Sequence, residues 1–171
     1  NTMIHESDEV GIINGLYATS NGNGGIVPIQ VFKNISLGTD KSSDLILTGS
    51  LGDTMKESIS CSLTCAKQYL YKKYGTKKLF GDNNEYNIEE YLKQKFSDGF
   101  HVHTPSTATP KDGPSAGCAF TCSFISRILD KKINRKVAMT GEIELTGRIT
   151  KIGGLIYKLI GAKKAGVKEV F

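Results

Sequence analysis

Residues 109–117 read TPKDGPSAG, and they place a serine between an irregular loop and an apolar helical pattern. Gly113 and Pro114 favour a sharp turn directly before Ser115. The first N–H groups of a helix have no internal partner and carry partial positive charge, so they are suited to stabilise an oxyanion beside this serine. Ser115 is therefore a candidate nucleophile, although serine is also a favoured N-cap residue, and the pattern alone leaves that role open.

The second candidate is Lys158, which ends the sequence GGLIYK at residues 153–158. A free lysine has a pKa of about 10.4, so a lysine that acts as a base near neutral pH needs a lowered pKa. We expect Leu155, Leu159 and Ala162 to flank it on one helical face and to desolvate it. Its place in the first turns of a helix also disfavours a positive charge. A solvated surface lysine with a buried aliphatic stem is the alternative.

Two histidines offer a different base. His101 and His103 lie on one face of a predicted strand ahead of the serine loop, and Asp112 is available to orient an imidazole. These residues would form a Ser-His-Asp arrangement with Ser115. The residues alone leave this triad and a Ser-Lys pair open. A metal site at the two histidines lacks an evident third ligand.

The charge and composition narrow the function classes. The chain has 171 residues, a net charge of +5 and the apolar content of an ordinary globular domain. Its lysines form scattered doublets, which give nucleic-acid binding only weak support. No stretch has the roughly 20 apolar residues of a membrane span. The sequence contains no phosphate-binding P-loop motif, so it does not support ATP binding by this chain.

The four cysteines form two pairs with helical i,i+4 spacing, Cys61 with Cys65 and Cys118 with Cys122. A zinc site built from both pairs is one interpretation, but structural zinc usually prefers tighter spacings on loops. We interpret the cysteines as small buried core residues. Their pattern is not that of a secreted disulfide scaffold and indicates a reducing compartment.

Strand and helix patterns mix along the chain without strict alternation, which predicts an α+β fold. Helices are predicted from residue 53 or 54 to about 75, over 88–96, after Ser115 and over 155–164. Strands are predicted over 10–19, 26–32, 45–48, 100–104, 136–140, 143–149 and 167–171. The Gly- and Asn-rich residues 20–25 predict a hairpin turn. Polar residues 1–9 predict a linker, and polar residues 75–87 predict a surface loop or insertion.

Several motifs occur in an order that resembles the proteolytic domain of Lon, a family of ATP-dependent proteases. The motifs are GIINGL at 11–16, TGSLG and MxES within 48–58, HVH at 101–103, TPKDGPSAG at 109–117, MTGEI at 139–143 and GGLxxK at 153–158. The resemblance covers residues 10–171 and implies a Lon-type domain with mixed sheets and packed helices. Ile156 and Tyr157 depart from it, because the family often has a charged pair there.

The resemblance implies a Ser-Lys dyad in which Ser115 is the nucleophile and Lys158 is the general base. It makes the histidines poor candidates for the base. The residues that it implies in supporting roles around the dyad are Thr140, which supports the lysine, Asp112 and Glu142, which lie near the site, and Gly113 and Pro114.

The resemblance further implies an endopeptidase that degrades unfolded or damaged proteins. It implies no cofactor in this domain, with ATP and Mg²⁺ on an ATPase module upstream of the 1–9 linker and six subunits in a ring. We expect the chain to stop before the last strand and helix of the family domain. The expected compartment is the mitochondrial matrix, with the bacterial cytoplasm as the alternative. A non-catalytic Lon-like module for assembly or peptide docking is the alternative function.

Overall fold

The computed structural model describes residues 2–36, 45–75, 79–81, 84–105, 111 and 113–171. Its helices are α1 (Asp53–Tyr74), α2 (Ile88–Lys95), α3 (Gly117–Leu129) and α4 (Leu155–Ala165). Its strands are β1 (Glu9–Val10), β2 (Ile12–Ala18), β3 (Gly24–Lys33), β4 (Leu45–Thr48), β5 (Leu79–Gly81), β6 (Asn84–Tyr86), β7 (Phe100–His103), β8 (Lys132–Ile133), β9 (Val137–Met139), β10 (Glu142–Ile143), β11 (Ile149–Thr150) and β12 (Glu169–Val170).

A six-stranded sheet with the order β12-β9-β2-β3-β7-β4 organises the fold. β2 and β3 are antiparallel, and the predicted turn between them is confirmed by the bond from Thr19 N to the carbonyl of Asn23. β9 runs parallel to both β2 and β12, and β4 runs parallel to β7. Parallel and antiparallel pairs in one sheet, with helices packed on it, confirm the α+β class.

The larger core lies between one face of the sheet and helices α1 and α3. In α1 the apolar residues that recur every three or four positions are all buried, and they are Met55, Ile59, Leu63, Ala66 and Leu70. In α3 the buried aromatic residues are Phe120 and Phe124, both fully inaccessible. Helical spacing of three and four places such residues on one face, and this burial is the main force that holds α3 and the preceding serine loop on the sheet.

Helix α4 packs on the opposite face of the sheet, over β2 and β3. Three of its buried residues are small, and two of these, Ala162 and Ala165, join a second core with Leu16 and Ile26. At Gly161 the helix approaches the β3 backbone so closely that an added Cβ would lie 2.2 Å from the carbonyl carbon of Gly24. Glycine is required at this approach, because any side chain would displace the helix.

The prediction of one strand over residues 143–149 is wrong. The segment forms two short antiparallel strands, β10 and β11, in which Ile143 pairs with Ile149. Gly147 has φ +85° and donates its N–H to the carbonyl of Glu144 at 2.8 Å, so the chain reverses between the two strands. The Thr146-Gly147 dipeptide carries the turn signal, since glycine adopts positive φ without steric cost.

The segments expected to be a linker and an insertion contact the rest of the fold. In the first, Glu9–Val10 pairs with β8, and Ile4 N donates to the Ala165 carbonyl at 3.0 Å. In residues 75–87, β5 and β6 form an antiparallel pair, while 76–78 and 82–83 lie outside the described residues. Within the described parts of the chain, no helix has both the length and the apolar character to cross a membrane.

Candidate active site

Lys158 is a buried charged residue in the first turns of α4. Its side chain is 4% exposed, and its Nζ donates a hydrogen bond to Oγ1 of Thr140 at 3.1 Å. Burial lowers the pKa of Lys158 below its ordinary value of 10.5, because the ammonium loses water that one hydroxyl only partly replaces. The alternative of a solvated surface lysine is wrong for this residue.

The source of this burial differs from the prediction. Leu155 and Leu159 are 49% and 42% exposed, so they do not flank the lysine on its buried face. Lys158 instead shares that face with Gly161 and Ala162, three and four residues farther along the helix. Small residues let the helix lie close to β3, and Lys158 is buried on the same helix face.

Ser115 lies in a turn one residue before the helix cap. Helix α3 begins at Gly117, its N-cap is Ala116, and no side chain caps it by a hydrogen bond. The N-cap interpretation of Ser115 is therefore wrong, and its hydroxyl has no capping role. Gly113, two residues earlier, has φ +106°, a conformation that favours glycine and gives the loop the sharp turn predicted from its sequence.

Gly141 connects the serine loop with the lysine. Its N–H donates to the carbonyl of Ser115 at 2.7 Å, and its carbonyl accepts from the Cys118 N–H at 3.0 Å. The preceding residue is Thr140, the hydrogen-bond partner of Lys158. The chain from Thr140 to Gly141 thus leaves β9 between the two helices and contacts the serine segment on one side and the lysine on the other.

A side chain would not fit at position 141. Its φ of +149° and an added Cβ only 2.5 Å from Cγ2 of Ile149 both exclude a side chain. No role for Gly141 was predicted from the sequence, although the MTGEI motif contains it. Its glycine identity, between a predicted strand and an acidic residue, was the available signal.

The expected oxyanion donors need one correction. The first two helical N–H groups of α3 are occupied, because Gly117 N donates to the Pro114 carbonyl at 3.2 Å and Cys118 N donates to Gly141. The N–H groups of Ser115 and Ala116, in the turn that precedes the helix, are therefore better candidates for such donors.

Two serines of helix α1 contact backbone carbonyls of the serine loop and of the first residue of α3. Ser58 Oγ donates to the Pro114 carbonyl at 3.4 Å, and Ser62 Oγ lies 3.0 Å from the carbonyl of Gly117. Ser62 is fully buried. Neither role was predicted from the sequence. The signal was a pair of serines with i,i+4 spacing beside the apolar stripe of α1, since buried hydroxyls require partners.

The segment after β4, residues 49–52, forms hydrogen bonds with Lys111 of the serine loop. Lys111 N donates to the Ser50 carbonyl at 2.9 Å, and Gly52 N donates to the Lys111 carbonyl at 2.7 Å. Lys111 Nζ also donates to the Gly49 carbonyl at 2.9 Å. Partial burial lowers the pKa of Lys111.

The remaining predicted site residues lie elsewhere or outside the described chain. His101 Nε2 and His103 Nδ1 lie 2.9 Å and 2.6 Å from the same hydroxyl, that of Thr48 on the neighbouring strand. Glu142 is exposed at the start of β10. Asp112 lies outside the described residues, so neither its place beside the histidines nor its place beside the serine is seen.

The cysteines do not form the metal site considered from their spacing. Among the residues that the structure describes, no three His, Cys, Asp or Glu side chains gather into a metal-binding group. All four cysteines are free thiols. The expectation of buried core residues is confirmed for Cys65, and Cys122 packs partly buried against the larger core, whereas Cys61 and Cys118 are only partly buried.

Comparison with known sequences identifies the family. The sequence profile of the Lon protease (S16) C-terminal proteolytic domain matches residues 1–171. The chain belongs to this Lon protease family. The S16 family consists of serine peptidases, so membership supports proteolysis as the activity class.

Relatives from viruses, bacteria and animals agree with this assignment. The chain is 54% identical over 170 residues to a "Lon protease homolog" of Acanthamoeba polyphaga mimivirus, which matches 98% of this chain and 15% of that protein. It is 42% identical to a "Lon protease" of Lachnoclostridium phytofermentans, with 99% and 18% covered. It is 37% identical to a "Lon protease homolog, mitochondrial" of Caenorhabditis elegans, with 98% and 16% covered. The chain thus spans less than a fifth of the length of these relatives.

Proposed function

We propose that this chain hydrolyses peptide bonds with Ser115 as the nucleophile and Lys158 as the general base. The observation that carries the proposal is the burial of Lys158 together with its hydrogen bond to Thr140. A buried lysine with a lowered pKa has a larger neutral fraction near pH 7 than an exposed one, and only the neutral amine can accept a proton. The Gly141 N–H bond to the Ser115 carbonyl supports the proposal, because Gly141 follows Thr140, the hydrogen-bond partner of this base.

The reaction follows acyl transfer in two steps. The neutral amine of Lys158 takes the proton of the Ser115 hydroxyl as Oγ attacks the peptide carbonyl. The N–H groups of Ser115 and Ala116 stabilise the oxyanion, because the turn fixes them before the reaction starts. The ammonium of Lys158 next protonates the leaving amine, and water, activated by the same lysine, hydrolyses the acyl-enzyme.

Thr140 acts here as a positioning residue for the amine. Its hydroxyl accepts the lysine hydrogen bond and so restricts the rotamers of a long side chain. Gly113 and Pro114 shape the turn that presents Ser115. We propose that Asp112 and Glu142 tune the site through their negative charge, which favours the ammonium form of a nearby lysine.

The longer protein supplies the rest of the activity in this proposal. We propose that an ATPase module with bound ATP and Mg²⁺ unfolds protein substrates, that residues 1–9 follow it, and that six subunits form a ring. The exposed apolar residues Leu155, Ile156 and Leu159 on α4 are a surface that subunits in such a ring would cover. We propose the mitochondrial matrix as the compartment, with the bacterial cytoplasm as the alternative, since the relatives include both mitochondrial and bacterial proteins.

Paired substitutions test the dyad. Ser115→Ala and Lys158→Ala should each lower the hydrolysis of a fluorogenic peptide by at least about 10³-fold, since the parts of such a unit work together. Exposed residues of the same types, changed as Ser60→Ala and Lys163→Ala, should retain activity within about twofold. The same four variants in the longer protein should show the same order in ATP-driven casein degradation. Retained hydrolysis in either dyad variant contradicts the assignment.

A covalent probe separates this function from a non-catalytic docking module. A fluorophosphonate reacts with an activated serine hydroxyl, and mass spectrometry of the labelled peptide locates the adduct. We expect one adduct, on Ser115, that is absent in Lys158→Ala. A chain that binds unfolded peptide but gives no adduct supports the docking module and contradicts the peptidase.

A further inference from the structure

Three sulfur atoms meet on one side of α3, and the proposed peptidase mechanism uses none of them. Sγ of Cys118 lies 3.9 Å from Sδ of Met139, the last residue of β9. Cys122 lies one helical turn farther along α3, on the same helix face, and its side chain lines the same surface groove as that of Cys118. The three side chains therefore form a cluster of soft ligand atoms centred on Cys118.

The spacing within this sulfur cluster is that of ligands to one metal ion. Metal–sulfur bonds of about 2.3 Å separate two ligands of the same ion by about 3.8 to 4.0 Å in tetrahedral or trigonal geometry. The measured 3.9 Å between Cys118 and Met139 falls in this range. Cys122 completes the set from the adjacent turn, where i,i+4 neighbours on a helix face each other.

An ion can reach the sulfur cluster from solvent. Cys118 and Cys122 are partly exposed and line an open groove of about 460 Å³. The groove has apolar walls that include Ile143 and Ile149, while Lys131 and Lys132 also border it. An apolar wall excludes oxygen ligands, so the groove offers an entry path and surroundings that suit soft ligands.

We propose that Cys118, Cys122 and Met139 bind one soft monovalent metal ion, Cu(I). Thiolate and thioether ligands select Cu(I), whereas Mg²⁺ and Ca²⁺ prefer oxygen and structural Zn²⁺ prefers four ligands. On binding, two thiols release their protons to solvent, two thiolate–copper bonds and one thioether–copper bond form, and no electron is transferred. The copper site contains neither residue of the proposed dyad, so its test does not depend on the peptidase function.

The other cysteine pair provides a matched control within the same fold. Cys61 and Cys65 have the same i,i+4 spacing on α1, but their thiols contact backbone carbonyls, Ile143 O at 3.5 Å and Glu144 O at 3.1 Å. The pKa is raised for Cys65, to about 11, and also for Cys122, so the pairs differ in their sulfur neighbours: Cys118 has the Met139 thioether, whereas Cys61 and Cys65 face carbonyl oxygens. We therefore expect this pair to bind Cu(I) far more weakly than the sulfur cluster.

Anaerobic titration of the reduced 171-residue chain with Cu(I), in competition with bicinchoninate, tests the site. We expect one tightly bound copper per chain, seen also by native mass spectrometry. Cys118→Ser should lower the affinity by about 100-fold or more and Met139→Leu by about tenfold, on the scale of known ligand-shell losses. The double variant Cys61→Ser with Cys65→Ser should bind as the unchanged chain does.

Two outcomes overturn the proposal. One is unchanged copper affinity in Cys118→Ser or in Met139→Leu. The other is loss of the tight copper in the Cys61→Ser and Cys65→Ser double variant. X-ray absorption of the copper-loaded chain should show three sulfur neighbours at about 2.3 Å, and nitrogen or oxygen neighbours in their place contradict it. Met139→Leu conserves volume and so keeps the fold, which leaves a decisive variant if Cys118→Ser unfolds.

Discussion

Helices α3 and α4 lie on opposite faces of one sheet, and they bury opposite kinds of residue. Helix α3 buries large apolar side chains, among them Phe120 and Phe124. Helix α4 buries a lysine and three small residues, while Ile156 is 71% exposed and its apolar neighbours are also largely exposed. Hydrophobic burial therefore stabilises the position of α3, whereas α4 buries less apolar surface and places an amine close to the sheet.

The largest expected effect on stability comes from the apolar face of α3. Phe124→Ala should destabilise the chain by about 3 to 5 kcal/mol, because it removes a fully buried ring and leaves a cavity. The matched change on α4, Ile156→Ala, should alter the free energy of unfolding by less than about 0.5 kcal/mol. Urea unfolding of both variants measures the difference. Equal losses would mean that the two helices do not differ in the way described.

The contrast also explains what the sequence could and could not predict. For α1 and α3 the spacing of apolar residues in the sequence agrees with the buried face, because burial follows hydrophobicity there. For α4 the same reasoning selected Leu155 and Leu159 as the cover of Lys158 and was wrong. The buried face of α4 is fixed by the close approach of Gly161 to β3, a long-range contact that leaves no periodic pattern in the sequence.

The candidate site divides in the same way. The motifs named Ser115, Lys158 and Thr140, and the Lys158–Thr140 hydrogen bond joins two of them. Gly141 was missed as the connection between serine and lysine, because backbone hydrogen bonds carry no side-chain signature. The first N–H groups of α3 were expected to be available to an oxyanion. Those of Gly117 and Cys118 instead bond to the carbonyls of Pro114 and Gly141, and only the tertiary structure brings Gly141 near the helix.

The second prediction concerns the close approach of α4. Gly161→Ala should destabilise the chain by about 1 to 3 kcal/mol, since its Cβ would lie 2.2 Å from backbone atoms that cannot move away. Gly153→Ala is the control, because an added Cβ there meets no atom within 4 Å, and its effect should stay below about 0.5 kcal/mol. Thermal unfolding compares the two. A neutral Gly161→Ala would remove the reason given for the burial of Lys158.

The third prediction concerns the hydroxyl that holds the amine. Thr140→Val removes the acceptor 3.1 Å from Lys158 Nζ while it keeps the volume of the side chain. We expect kcat for peptide hydrolysis to fall about tenfold with KM unchanged, which corresponds to about 1.4 kcal/mol of lost transition-state stabilisation. Thr140→Ser restores the hydroxyl and should recover most of the rate. A rise in KM alone, or no recovery in the serine variant, would contradict a positioning role.

The smallest expected effect is a gain in stability. Lys158→Met keeps the length of the buried side chain and removes its charge, so it should stabilise the chain by about 1 kcal/mol at pH 7. The sign with pH follows from the lowered pKa of Lys158. The unchanged chain carries the cost of a buried ammonium at low pH and loses it as the pH rises towards 10.5, so the advantage of the variant should shrink over that range. Denaturant unfolding of both proteins at matched pH values measures this difference. An advantage that grows with pH would show that burial of the Lys158 ammonium does not cost stability. Helix α4 would then differ from α3 only in the size of its buried residues.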